Sequence, residues 1–251
     1  MAIFAAGRAW VRRIALRQTR LILFDIDGTL TRSHNGFIPF NEAILKTFGF
    51  PGDIRTVVPD GNTDPQILDE IFAAAHQEVE ITEEKWHHFG QNLNQSYSRA
   101  LQEQRTVVQP LPGALELVQA LATSEEFHQG VVTGNLEVVA RLKLTAAGLC
   151  PYLSVGAYGS DSRDRADLPG IARERWERKI GAAIAPDRRV IIGDTPKDLD
   201  AAKKNQMKCL LVGTGRYPVE DLAYFQPDGC LPDLTSTQVV IETLCQWFFR
   251  H

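Results

Sequence analysis

Two carboxylates spaced two residues apart follow a short apolar run near the start of the chain. Residues 21–24 are Leu-Ile-Leu-Phe, and they lead directly into Asp25, Ile26, Asp27 and Gly28. An apolar run closed by Asp and Gly predicts a strand that is buried on both faces, as in a parallel sheet. Residues i and i+2 share one face of a strand, so both carboxylates reach the same point. Their mutual repulsion favours a bound divalent cation such as Mg²⁺, which prefers carboxylate oxygens.

A second apolar run that ends in acids lies in the C-terminal half of the chain. Residues 190–192 are Val-Ile-Ile, Gly193 and Asp194 follow, and Asp198 falls in the first turn of the helix predicted next. Taken alone, this pattern is equally typical of a strand-to-helix turn with a capping Asp. Because it is the second acidic cluster to follow a buried strand, we interpret it as part of a site.

A short strand between the two acidic clusters ends in a hydroxyl. Residues 130–132 are Gly-Val-Val, and Thr133, Gly134 and Asn135 follow. The Thr133 hydroxyl can donate to a phosphate oxygen, and the backbone N–H groups of Gly134 and Asn135 can add donors near the next helix N-terminus. A plain helix N-cap by Thr or Asn is the alternative.

The strings DIDGTL, VVTGN and GDTPKD, in this order, resemble motifs one, two and four of the haloacid dehalogenase (HAD) superfamily. The resemblance covers nearly the whole chain from residue 21 onward, and the phosphoglycolate-phosphatase-like members are the most similar in layout. It implies that Asp25 is the phosphorylated nucleophile, that Asp27 is the acid/base, and that Thr133 holds a phosphate oxygen. It also implies a Mg²⁺ site, with these metal-site residues: Asp25, Asp27, Asp194 and Asp198.

The third motif of this superfamily is a cation, usually a lysine, and no lysine stands at the corresponding place. Arg165 is the nearest match and Arg163 the second, whereas Lys179 lies too far along the predicted next helix. An arginine is always charged and can pair with phosphate oxygens through its fork, although its geometry differs from that of an ammonium group.

The elements that must position these residues alternate between strands and helices. We therefore predict an α/β protein with a doubly wound parallel sheet, whose site lies at the carboxyl ends of the strands. Residues 31–36 are predicted to be a polar loop, and residues 38–109 to be helical without a strand. Such an insertion resembles the type-1 helical cap of HAD enzymes. The implied division is a core of residues 21–35 and 110–251 and a cap of residues 36–109.

Substrate contacts are harder to predict, because they depend on the cap. Gly134 and Asn135 are candidates on the core side. Polar residues near the hinge and the first helices of the insertion supply the others, although each is equally typical of a surface or capping position: Arg32, His34, Asn62 and Thr63.

Composition narrows the class of protein further. The net charge is −4 with mixed signs over 251 residues, which gives no indication of a nucleic-acid surface. Four cysteines without CxxC spacing are typical of a reducing compartment, so we predict a cytoplasmic protein. No apolar stretch is long enough to predict insertion into a membrane. Residues 1–20 contain five arginines and no acid, and we interpret them as a basic extension, either a short helix packed on the domain or an addition from an upstream start codon. A basic targeting or membrane-surface helix is the alternative. Oligomeric state stays open.

The combined prediction is Mg²⁺-dependent hydrolysis of a small phosphorylated metabolite through an aspartyl-phosphate intermediate. The carboxylate at Asp27 favours phosphate-ester chemistry, since the dehalogenase branch of the superfamily lacks it. Two alternatives remain at this stage. One is a phosphomutase similar to β-phosphoglucomutase, and the other is a non-catalytic binding protein that keeps the fold.

Overall fold

The computed structural model describes residues 19–249, and a parallel sheet of six strands organises this part of the chain. The sheet order is β5-β4-β1-β6-β7-β8. All its neighbouring strands are parallel. Two further strands, β2 and β3, form a separate antiparallel ribbon. The bounds of the strands are β1 Arg20–Phe24, β2 Thr31–His34, β3 Val107–Pro110, β4 Phe127–Thr133, β5 Val155–Tyr158, β6 Arg189–Gly193, β7 Lys208–Val212 and β8 Gly229–Leu231.

Helices follow most of the strands and cover the sheet. They are α1 Phe37–Phe48, α2 Asp64–Ala74, α3 Glu83–Gln102, α4 Ala114–Ala122, α5 Glu137–Ala146, α6 Leu168–Ile180, α7 Pro196–Lys204, α8 Val219–Ala223 and α9 Thr237–Phe249. Short 3₁₀ turns at Ile54–Thr56, Cys150–Tyr152, Arg165–Asp167 and Pro186–Arg188 complete the order.

Strand β1 lies at the centre of the sheet and is buried on both faces. Ile22 and Phe24 pack into one apolar layer, whereas Leu21 and Leu23 pack into the other. This two-sided burial is why residues 21–24 of the strand are all apolar rather than alternating. The prediction of a doubly wound parallel sheet is therefore confirmed.

The strand order determines which edge of the sheet can bind a ligand. From β1 the chain passes to β4 and β5 on one side of the sheet, and it later returns to β6, β7 and β8 on the other side. Phe24 pairs with Val131 of β4 and with Ile192 of β6. The residues that follow these three strands therefore meet at one edge, where ligands bind in open α/β sheets.

Helices α1, α2 and α3 form the insertion between β2 and β3. They bury an apolar cluster of their own, which includes Phe40, Leu68 and Phe89 and extends to Leu136 and Val139 at the N-terminal end of α5. The insertion therefore packs against the core near the carboxyl edge of the sheet.

Two predictions from the sequence were wrong at their ends: the polar loop over residues 31–36 and the helical segment that continues to residue 109. Thr31 pairs with Pro110 and His34 pairs with Val107, so a two-stranded ribbon carries the chain into and out of the insertion. The polar residues of β2 do not alternate with apolar ones, so the sequence shows no pattern that predicts a strand. The ribbon is stabilised by pairing between segments distant in sequence, which local periodicity does not detect.

Most of the predicted basic extension lies outside the described residues. Arg20 is the first residue of β1, and its guanidinium forms an ion pair with Glu126. Among the helices that the structure describes, none combines the length and the apolar character needed to cross a bilayer.

Candidate active site

Three buried carboxylates meet at the carboxyl edge of the sheet. Asp25 follows β1, Asp194 follows β6, and Asp198 lies in the first turn of α7. One carboxylate oxygen of each lies within 4.8 Å of the others. Thr29 donates a hydrogen bond of 2.9 Å to Asp194 Oδ1, which orients that carboxylate.

Gly28 makes this close approach possible. Its φ of +84° turns the chain sharply after β1, and a Cβ atom there would lie 2.4 Å from Asp194 Oδ2. Any larger residue would be strained in this conformation and would also collide with Asp194. The glycine of the DIDGTL string is therefore required by backbone geometry and by the proximity of β6.

Three carboxylates and one contacting arginine leave this cluster with an excess of negative charge. Burial raises the pKa of Asp25 to about 7, despite the opposing charge of Arg165. Burial, and then the charge of Asp25, raises the pKa of Asp194 well above its usual value. An all-oxygen donor set with excess negative charge fits a hard divalent cation such as Mg²⁺.

Arg165 is the cation that the structure brings to the cluster. It is buried, and its Nη2 lies 2.8 Å from Asp25 Oδ1 and 2.5 Å from Asp198 Oδ1. Burial alone would lower its pKa, but Asp198 and Asp25 raise it. Arg163 instead points outward and pairs with Asp69 on the surface.

Lys179, the third cation considered, lies away from the cluster. Its Nζ donates to Ser154 Oγ at 3.2 Å in an exposed position. Of the cations weighed from the sequence, Arg165 therefore occupies the place next to the predicted nucleophile.

Asp198 combines the two roles that its sequence pattern left open. Its Oδ2 accepts hydrogen bonds from the Thr195 N–H at 3.1 Å and from the Thr195 hydroxyl at 2.8 Å, which closes a capping box at the start of α7. Its Oδ1 accepts from Arg165. Asp198 thus orients Arg165 through this hydrogen bond, and the capping box at the start of α7 fixes the position of Asp198.

Asp27 lies in a separate group of polar side chains beside the acid cluster. Its Oδ2 accepts from Asn135 Nδ2 at 2.7 Å and from Lys143 Nζ at 2.6 Å. Desolvation would raise the pKa of Asp27, but the charge of Lys143 and these hydrogen bonds lower it below its usual value. Asp27 and Asp25 therefore lie in contrasting electrostatic surroundings, although only one residue separates them.

Lys143 is a site residue that the sequence interpretation missed. It lies on the buried face of α5 with Val139, Ala140 and Leu144. A lysine in such a stripe must find an anionic partner, because burying an unpaired ammonium group is costly. That rule was the available signal, although the sequence does not show which acid is the partner.

Thr133 and Gly134 connect the end of β4 to the insertion. The Thr133 hydroxyl is buried and accepts from Asn135 Nδ2 at 2.8 Å. A Cβ atom on Gly134 would lie 1.8 Å from the Asn62 carbonyl oxygen, so only glycine allows this contact. Asp64 extends the same junction, since its N–H donates to the Gly134 carbonyl at 2.8 Å and its Oδ2 accepts from the Leu136 N–H at 2.7 Å.

A cavity of about 350 Å³ lies between the sheet edge and the insertion. Asp25, Asp194 and Asp27 line it, as do Arg165 and Lys143. The insertion contributes mainly apolar side chains to its wall, including Phe40, Ile67 and Leu93. The polar groups are therefore concentrated at the sheet edge, and the remaining wall suits a small organic group.

The predicted substrate contacts divide into two sets. Gly134, Asn135, Arg32 and Asn62 line the cavity. His34 is exposed at the far end of β2, where it pairs with Val107, so it lies outside the lining.

Thr63 lies outside the lining too. Its buried hydroxyl donates to the Arg163 carbonyl at 2.8 Å, and it caps α2. The prediction that His34 and Thr63 contact substrate does not agree with this geometry, because one is turned to solvent and the other is used to attach the insertion.

A parallel sheet with buried acids, a paired arginine and a hydroxyl at the ends of its central strands defines an α/β protein with a polar ligand site at the switch point. The chain belongs to the haloacid dehalogenase-like hydrolases, whose family pattern matches residues 22–203. It is therefore an enzyme of a hydrolase family, as the motifs predicted.

Comparison with individual proteins supports the same family. A phosphoglycolate phosphatase from Aquifex aeolicus (strain VF5) is 24% identical over 220 residues, covering 86% of this chain and 91% of that protein. The structure of a predicted phosphoglycolate phosphatase from Haemophilus somnus 129PT matches with a TM-score of 0.65 at 21% identity, covering 89% of this chain and 98% of the other. The β-phosphoglucomutase from Clostridium difficile matches with a TM-score of 0.66 at 16% identity, covering 92% and 100%. At these identities, the structural likeness shows the fold.

Proposed function

We propose that this protein hydrolyses a small phosphomonoester with the help of Mg²⁺, through an aspartyl-phosphate formed on Asp25. The observation that carries the proposal is the position of Asp25 at the end of β1. There its carboxylate lies beside Asp194 and Arg165, at one end of a cavity. A carboxylate in that position can attack phosphorus while cations offset the charge of the phosphoryl group.

The chemistry then takes two steps. A carboxylate oxygen of Asp25 attacks the phosphorus atom, the bond from phosphorus to the ester oxygen breaks, and protonated Asp27 gives its proton to the departing oxygen. The negative charge of the bound phosphoryl group opposes the effect of Lys143 and favours this protonated form of Asp27 before the step. A water molecule next attacks the phosphorus atom and gives a proton to Asp27, and the bond between phosphorus and Asp25 breaks. Inorganic phosphate leaves, and both acids return to their starting states.

The other site residues hold the phosphoryl group and the acids. The Thr133 hydroxyl and the backbone N–H groups of Gly134 and Asn135 are donors for phosphoryl oxygens. Arg165 offsets part of the negative charge of Asp25 and Asp198 in the resting site. Mg²⁺, held by Asp25, Asp194 and the backbone carbonyl of Asp27, would supply positive charge opposite the transferring phosphoryl group.

The size of the cavity limits the substrate. About 350 Å³ accommodates a small phosphorylated metabolite, and the 24% identical relative is a phosphoglycolate phosphatase, which makes phosphoglycolate the first ester to try. Residues 36–109 act as the cap over a core of residues 21–35 and 110–251. Arg32 and Asn62 both line the cavity between them. Four unpaired cysteines support a reducing, cytoplasmic setting.

Hydrolysis is favoured over phosphoryl transfer between sugar hydroxyls. Among the described residues of the insertion, those that line the cavity include no lysine or arginine to hold a second phosphate. Two arginines line it from outside the insertion, but Arg32 donates to the Thr214 carbonyl and Arg216 pairs with Asp60. The family also has mutase neighbours, so the test must separate the two reactions.

The test is phosphate release from a panel of phosphomonoesters, with and without Mg²⁺, by the full chain and by Asp25→Asn. We expect Mg²⁺-dependent release that Asp25→Asn lowers by a factor on the order of 10³ or more, because the nucleophile is lost. Asp200→Asn, an exposed acid on α7, should retain the activity. Release that persists in Asp25→Asn would contradict the proposal. Isomerisation of a hexose phosphate with a bisphosphate primer would indicate a mutase instead.

A further inference from the structure

Lys143, Asn135 and Asp27 form a closed triangle of hydrogen bonds beside the acid cluster. Lys143 Nζ lies 2.6 Å from Asp27 Oδ2 and 2.8 Å from Asn135 Oδ1. Asn135 Nδ2 donates to the same Asp27 oxygen at 2.7 Å. The amide of Asn135 also donates to Thr133 Oγ1 at 2.8 Å, so the triangle is attached to the end of β4.

The position of Lys143 is costly for stability, which calls for an explanation. The residue is 6% exposed, and burying an ammonium group costs several kcal/mol unless a well-placed partner compensates it. Within residues 19–249, its one ion pair within 4.0 Å is with Asp27. A leucine or methionine would fit the buried face of α5 without this cost, so the charge serves the site rather than the packing.

The two carboxylate oxygens of Asp27 differ in how firmly hydrogen bonds hold them. Oδ2 accepts two short hydrogen bonds, whereas Oδ1 has a contact of 3.5 Å with the Ser33 hydroxyl, which is too long to hold it firmly. The side chain of Asp27 is 41% exposed, so packing alone does not restrict its rotamer. Lys143 and Asn135 thus hold one oxygen and leave the other for substrate.

We propose that Lys143 is a positioning residue that fixes the carboxyl group of Asp27 for proton transfer to the departing ester oxygen. The proposal rests on the function proposed above. Lys143 does not donate to the reacting atoms itself. It fixes Oδ2 through the triangle, so that the Oδ1–H group of protonated Asp27 faces the ester oxygen as its bond to phosphorus breaks. The same orientation lets Oδ1 take the proton of the attacking water.

The test compares esters that differ in how much they need the acid. An alkyl phosphate must have its leaving oxygen protonated, whereas 4-nitrophenyl phosphate releases a stable anion. The ratio kcat/KM covers the steps up to release of the alcohol. For Lys143→Met we expect kcat/KM to fall about 10- to 100-fold with the alkyl ester and less than about threefold with the aryl ester. A residue that only binds the phosphoryl group, or only supports the fold, would lower both values equally.

Two further variants make the result decisive. Lys143→Arg, which keeps a donor and the charge, should recover part of the alkyl-ester activity. Adding Lys143→Met to Asp27→Asn should cause no further loss, because the group to be positioned is already gone. Lys203→Met, an exposed lysine on α7, is the matched control and should behave as wild type.

Equal losses on both esters, or additive effects in the double variant, would overturn the proposal. If Lys143→Met does not fold by circular dichroism, Lys143→Gln takes its place, with a smaller split in the same direction expected. A wild-type chain that hydrolyses no ester would instead contradict the proposed function, so the two failures are distinguishable.

Discussion

At the scale of single residues, Arg165 offsets part of the negative charge of the site. Its guanidinium contacts carboxylates that come from two different elements, Asp25 after β1 and Asp198 in α7. All three side chains are buried, so their interaction is little screened by solvent. Removing the cation would leave two buried acids without their partner.

We therefore expect Arg165→Met to lower the free energy of unfolding by about 3–5 kcal/mol at pH 8 and to reduce phosphatase activity strongly. Arg165→Lys should recover part of the loss, since a point charge pairs less well with two carboxylates. Urea denaturation at fixed ionic strength measures the first effect.

Arg163→Met is the matched control from the same loop. Its side chain is 56% exposed and pairs with Asp69 on the surface, so its removal should cost less than about 1 kcal/mol. Similar destabilisation by the two methionine variants would mean that Arg165 does not hold the acid cluster together.

At the scale of elements, the N-termini of α2 and α5 are joined through Asp64. The carboxylate of this α2 residue accepts the N–H of Leu136, the N-cap residue of α5. Burial raises the pKa of Asp64 to about 7 from the usual 3.8. The contact that attaches the insertion to the core is therefore sensitive to pH near neutrality.

A carboxyl group whose pKa rises on folding binds its proton more tightly in the folded state. Its contribution to stability is fully present below about pH 4 and is lost as the pH rises through about 7. Asp64→Asn keeps the acceptor but cannot ionise. The unfolding free energy of wild type minus that of Asp64→Asn should therefore fall by roughly 3 kcal/mol between pH 5 and pH 8.

Urea denaturation at several pH values measures this difference. Glu84→Gln, at an exposed position in the first turn of α3, is the matched control for the replacement of a carboxyl group by an amide. A pH-independent difference for Asp64→Asn would show that the buried carboxyl does not titrate as described.

At the scale of the whole molecule, the acid cluster exists only when the sheet is assembled. Asp25 and Asp194 are 169 positions apart in the sequence, and the pairing of β1 with β6 brings them together. An unfolded chain holds no comparable site, so a cation that binds the cluster must stabilise the folded state.

Mg²⁺ should thus raise the urea midpoint of the wild-type chain. At a concentration 100 times the Kd, the expected gain in the free energy of unfolding is about 2.7 kcal/mol. Asp194→Asn should lose most of this shift, whereas Asp200→Asn should keep it. NaCl of equal ionic strength is the blank, and EDTA should reverse the effect. An equal shift in wild type and Asp194→Asn would place the ion elsewhere.

The sequence by itself determined the central strands, the family and the order of the motifs. Local patterns suffice for these features: apolar runs that end in Asp predict buried strands, and helical periodicity predicts the insertion. Gly28 was also visible as a turn residue beside the acids. These features depend on residues close together in the chain, which is why they were predictable.

Tertiary structure alone decided which distant groups meet. It placed Arg165 rather than Arg163 against Asp25, paired Lys143 with Asp27, and formed the ribbon of β2 and β3. Two arginines in one polar loop have the same local pattern, and a lysine on α5 shows no sign of an acid 116 positions earlier. Charge pairing and strand pairing over such separations depend on the three-dimensional path of the chain, because their energy comes from contacts that exist only after folding.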